Sequence, residues 1–175
     1  MLAPRLLPLF LLLSPLGCDD DAMDADPSGT ESGTGADESS GGEPTVDEQA
    51  IAEQAIDFES LTKLNDEPLS SQHGLAVTMN MWVSPSAASA YAELGDGTVF
   101  DPGTYLLKEQ LDADGALDSV AVMYKGPAGY SPDSGDWWFG LVNPDGTVRL
   151  GGQPGGCVDC HSAVESQDWA WGLPE

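Results

Sequence analysis

The chain has 175 residues, with 30 Asp and Glu against 5 Lys and Arg, for a formal net charge of −25. A surface this acidic repels phosphate and excludes a nucleic-acid partner. The length suits one domain with extra segments, and each of the three cysteines has its own use, which leaves no pair for a structural disulfide.

Residues 1–17 read as an export signal. Arg5 supplies the positive charge, and Leu6 to Leu16 is an apolar run broken by prolines. The run is shorter than the roughly 20 apolar residues that cross a bilayer. Leu16-Gly17-Cys18 is similar to the end of a bacterial lipobox, in which the cysteine is lipidated; Pro15 stands where that pattern usually has leucine. Ordinary cleavage, with Cys18 a spare thiol, is the alternative. The expectation is an exported periplasmic or cell-envelope lipoprotein that meets the membrane only through its lipid. Residues 18–44 follow as an acidic, Gly- and Ser-rich tether with almost no large apolar residue. Such a segment cannot offset its chain entropy by burial. At this length it spans on the order of 25–30 Å. Its charge reads as a solvated tail, with docking to a basic redox partner as the alternative.

The folded domain is expected over residues 45–175. Thr45 and Glu48 form a capping box. Ile51, Ala55, Phe58 and Thr62 then recur at helical spacing, which predicts a helix from Val46 to Leu64. His73 to Val83 is apolar and β-branched and predicts a strand. Ser84-Pro85 opens a short helix, Ser84 as N-cap, that ends at Gly95. Further strands are predicted over Thr104–Leu111, Ser119–Lys125, Asp136–Asn143 and Thr147–Leu150. Asp112-Ala-Asp-Gly115 and Asn143-Pro-Asp-Gly146 are the turns between them. The first has a faint likeness to a calcium loop but lacks the loop's glutamate and flanking helices. The fold class is therefore α+β: a mainly antiparallel β-sheet domain with a leading helix, a short inserted helix and a C-terminal segment that carries two cysteines and a histidine.

That last segment is Cys157-Val158-Asp159-Cys160-His161, a C-x-x-C-H sequence. Two thiols at this spacing can add to the two vinyl groups of one porphyrin, and the histidine can bind the iron. Zinc is the first rival, but it normally needs four ligands, and His73 is the sole obvious addition. A thiol redox pair would need a thioredoxin-like context that is missing. Residues 162–175 hold no methionine, so a sixth iron ligand would have to come from Met79, Met81, Met123 or His73. All four lie in or beside predicted strands, where packing is the default role. The pattern points to an open iron, suited to chemistry or gas binding more than to electron transfer alone.

Several blocks together resemble the cytochrome P-460 family. They are His73-Gly74 with Asn80, Phe100-Asp-Pro-Gly-Thr-Tyr-Leu-Leu-Lys108-Glu109, Val122-Met123-Tyr124-Lys125, and Gly135-Asp136-Trp137-Trp138-Phe139. Cys157 to His161, followed by Asp168-Trp169-Ala170-Trp171, completes the set. The resemblance implies a mostly antiparallel β domain, commonly dimeric. It also implies one covalently bound haem c that is P-460-type if a lysine amine, here Lys108, is cross-linked to a porphyrin meso carbon. The best-known members oxidise hydroxylamine at a five-coordinate iron. The related cytochrome c′-beta proteins lack the cross-link and bind nitric oxide.

Independently of the family, Lys108 is one of few basic residues and sits in an apolar strand, on the face of Thr104, Leu106 and Gln110. Burial would lower its pKa and make it a nucleophile; a sheet-edge lysine or a partner for a haem propionate is the alternative. Glu109 should face the other way. Asp136 and His73 are candidate pocket groups, and His73 could instead contact a propionate. Trp82, Tyr105, Trp137, Trp138 and Phe139 are expected to pack the core and the haem. The expected partners are a small nitrogen substrate or nitric oxide, an electron-transfer protein and a second copy of the chain.

Overall fold

In the computed structural model, residues 42–71, 73 and 76–174 are described. The signal segment, Cys18 and most of the tether lie outside them. Strand alternation organises everything else. In β4 (Tyr105–Leu111), β5 (Leu117–Lys125) and β6 (Trp137–Val142), successive side chains turn to opposite faces. Both faces are apolar, so both must be covered.

With β1 (Thr62–Lys63) and β2 (Leu69–Ser70), the strands form one antiparallel sheet in the order β1-β3-β4-β5-β6-β7, with β2 also pairing to β3. β3 is Thr78–Val83, and β7 is Val148–Leu150. Met81 lies opposite Lys108, and Lys108 opposite Ala121. Tight turns close the β4–β5 and β6–β7 hairpins. Asp112 Oδ1 accepts from the amides of Asp114 and Ala116, and Asp145 Oδ1 accepts from that of Thr147. The Asp112 loop is a plain turn.

One face packs Leu107, Val120, Val122, Trp138 and Val142 against Ile51, Ala52 and Ala55 of helix α1 (Glu48–Ile56). The other face carries Met79, Met81, Leu106, Met123 and Phe139. It is covered by α2 (Ala88–Ala92), by Phe100 and by the C-terminal segment around Trp169. Trp138 is fully buried on the α1 side. A Cβ at Gly140 would collide with the Trp138 ring, so the glycine is what lets the indole lie across the strand.

The structure corrects the leading helix. α1 is Glu48–Ile56, and its N-cap is Asp47, whose Oδ1 accepts from Gln49 and Ala50 amides. Glu48 is not part of a capping box; its Oε1 accepts from Trp138 Nε1 at 2.9 Å. The helix stops early because residues 58–60 form a 3-10 turn and Thr62–Lys63, as β1, pair with β3. β3 begins at Thr78 rather than His73, after the short β2 at Leu69–Ser70. Ser84 is the N-cap position of a 3-10 turn that starts at Pro85, but its side chain makes no cap bond; its Oγ accepts from the Tyr105 amide instead, joining the end of β3 to the start of β4. A 3-10 turn at Pro85–Ala87 then leads into α2.

Candidate functional site

On the α2 side of the sheet lies a cavity of about 550 Å³, within the usual range for small-molecule and cofactor sites. Its floor is the sheet: Met79, Met81, Leu106, Lys108, Met123 and Phe139. One wall is helix α3, Gly155–His161, and another is the chain end from Trp171 to Pro174. Tyr91 of α2 also lines it and donates its hydroxyl to the Trp171 carbonyl at 2.6 Å, tying that wall in place.

The five-residue motif folds as a helix, so Cys157 and Cys160, three apart, lie on one face. Both line the cavity with free thiols. Burial, and then the neighbouring Cys160, push the Cys157 thiol up. His161 is buried, with its ring 5.1 Å from that of Phe139. Its Nδ1 is 2.6 Å from the Trp169 carbonyl. A carbonyl only accepts, so Nδ1 carries the proton and Nε2 keeps a lone pair for a metal. Burial is also the main cause that lowers the His161 pKa and keeps the ring neutral.

Lys108 lines the same cavity, and Glu109 points to the opposite face, where its Oε2 accepts from Asn80 Nδ2 and Trp82 Nε1. Burial lowers the Lys108 pKa, opposed by the nearby Cys160. His73 lines the cavity from the loop after β2. Burial, then the charges of Lys108 and His161, hold its pKa at about 4. Its backbone is anchored through Ser71 Oγ, which accepts from the His73 amide and donates to Gln110 of β4.

Met79, Met81 and Met123 also line the cavity. Asp136 does not: its carboxylate accepts from the Gly129 and Ser131 amides in the loop before β6. Among the described residues, no Asp or Glu lines the cavity. Of the aromatics named from sequence, Phe139 lines it, and Trp137 packs the same face of the sheet. Trp82, Tyr105 and Trp138 belong to the opposite core. Tyr91 was missed, since a tyrosine in a short helix carries no signal of its own. Also missed was a buried ion pair between Lys125 and Asp168.

Two thiols on one helical face, a buried imidazole with Nε2 unprotonated and a largely apolar cavity suit a porphyrin held by thioethers and one axial histidine. They do not suit a structural zinc: among the described residues, no group of three or more His, Cys, Asp and Glu could hold a metal ion. The class so defined is an antiparallel β-sheet domain with a cavity on one face whose lining suits haem. The chain belongs to the cytochrome P460 family, whose model matches residues 57–172, and as a member it is a c-type haem protein. No curated protein is a significant match.

Proposed function

We propose that this protein is an exported, lipid-tethered mono-haem cytochrome with an open iron site. In this reading it oxidises hydroxylamine or a similarly small nitrogen compound and passes the electrons to a redox partner protein. The observation that carries the reading is the meeting of Lys108 with Cys157, Cys160 and His161 in one cavity.

Cys157 and Cys160 would hold the haem by thioethers, and His161 Nε2 would bind the iron. The haem, when bound, supplies the one-electron redox chemistry. The chain does the rest. Met79, Met81, Leu106 and Phe139 keep water from the substrate space. Neutral His73 is available to accept a proton, as taking NH2OH to HNO requires two protons and two electrons to leave. Burial lowers the Lys108 pKa, which favours use of its lone pair for a bond to a porphyrin meso carbon. Forming that bond removes one N–H and one C–H hydrogen, two electrons in all, and calls for an oxidant of the peroxide class.

A second reading, capture of nitric oxide without turnover, is favoured by the apolar floor and the lack of a lining carboxylate among the described residues. A third is simple electron transfer, with Met79, Met81, Met123 or His73 as sixth ligand, since all four line the cavity. The visible spectrum of the reduced holoprotein separates them. A strongly red-shifted Soret band with hydroxylamine turnover supports the first reading. An ordinary five-coordinate spectrum without turnover supports the second, and a six-coordinate low-spin spectrum the third. Mass analysis of the N-terminal peptide tests lipidation at Cys18, and sedimentation of the holoprotein tests for a dimer.

A further inference from the structure

Outside the cavity lies a buried ion pair that none of this chemistry uses. Lys125 Nζ sits 2.6 and 2.8 Å from the two carboxylate oxygens of Asp168, and 4.8 Å from the Trp137 ring centroid. Both side chains are about nine-tenths buried. Charges this deep are costly to desolvate and are weak evidence for stability in themselves, so their position is what matters.

Asp168 and its neighbour Trp169 both adopt left-handed backbone, at φ 52° and 63°. Residues with a Cβ avoid this region, and consecutive examples persist only where their surroundings hold them. Here the surroundings do so from several sides. Asp168 Oδ2 accepts from the Phe100 amide at 2.7 Å, the Asp168 carbonyl accepts from Trp137 Nε1 at 2.8 Å, and Lys125 grips the carboxylate. Gly135 leaves the space: a Cβ there would lie 2.8 Å from Trp169 Cδ1. The outcome of the turn is the direction of one carbonyl. Trp169 O meets His161 Nδ1 at 2.6 Å.

We infer that the Lys125–Asp168 pair is a positioning device for the iron ligand, holding the left-handed turn so that the Trp169 carbonyl polarises the His161 Nδ1–H. A strong acceptor at Nδ1 orients the ring and raises the donor power of Nε2. That favours ferric over ferrous iron. The inference rests on His161 being the axial ligand.

The test compares wild-type holoprotein with Lys125→Met, Asp168→Asn and the double variant. Asparagine tolerates left-handed backbone, and the double variant leaves no unpaired buried charge, so folding is retained. The readouts are the iron–histidine stretching band of the ferrous protein and the midpoint potential. The expected result is a lower stretching frequency and a shift of about tenfold toward ferrous iron, which is a rise of about 59 mV. Glu109→Gln, on the opposite face, should leave both readouts in place. A folded double variant with wild-type band and potential would overturn the positioning role while leaving histidine ligation intact. Absence of histidine ligation in the wild type itself would overturn both.

Discussion

Lys108 and Glu109 are consecutive in β4 yet serve different halves of the molecule. Lys108 lines the cavity with Cys160 and His161, while Glu109 closes a polar network with Asn80 and Trp82 on the far face. Strand alternation alone separates them, and mutating each should give opposite signatures.

Lys108→Met keeps the length of the side chain and removes the amine. The haem should remain attached through the two cysteines, and a red-shifted Soret band should move to the ordinary c-type position. Exchanging a buried lysine for an apolar residue should leave the denaturation midpoint unchanged or higher. An unaltered spectrum would remove Lys108 from the site.

Glu109→Ala should behave the other way round. It strips Asn80 Nδ2 and Trp82 Nε1 of their acceptor, costing about 1–3 kcal/mol. The spectrum should not change. Urea unfolding followed by tryptophan fluorescence reads the first effect, and absorbance the second.

Gly140→Ala should destabilise by about 1–3 kcal/mol through overpacking against Trp138. The pairing of Trp138 Nε1 with Glu48 should loosen with it. Amide exchange near the start of α1 should accelerate in this variant while the haem spectrum holds.

The acid limb of stability should depend on His73. Its pKa falls to about 4 on folding from an ordinary 6.5, through burial first and then the Lys108 and His161 charges. The unfolded chain therefore binds the proton first as pH drops. The contribution of neutral His73 is complete above about pH 6.5 and is lost as pH falls toward 4. Because His73 is only partly buried, the effect should be on the order of 1 kcal/mol. Denaturation midpoints at pH 7 and pH 4.5 should lie closer together in His73→Gln than in the wild type.

Short-range physics made much of this legible in the sequence. The turns at Asp112 and Asn143 depend on side chains bonding amides two to four residues away. The strand faces follow from alternation, and the C-x-x-C-H residues needed only a helix to bring two thiols to one side. The end of α1 was not legible, because residues 62–63 obey their pairing with β3 rather than their helical spacing. Glu48 was misread for the same reason: its partner, Trp138, lies 90 residues away.

The two lysines of the cavity-facing side show the division most clearly. Lys108 and Lys125 share a face of the sheet, and alternation says nothing further about either. Tertiary structure separates them. Among the described residues it places no carboxylate beside Lys108, which lies in a cavity among thiols and imidazoles. It brings Asp168, 43 residues on, against Lys125. Burial without a counter-charge makes an amine reactive, and burial with one makes it a clamp. Local residue order is enough to show a C-x-x-C-H motif and which way the strand side chains face. The long-range packing decided which lysine meets Asp168, because that depends on what the chain folds back to place beside it.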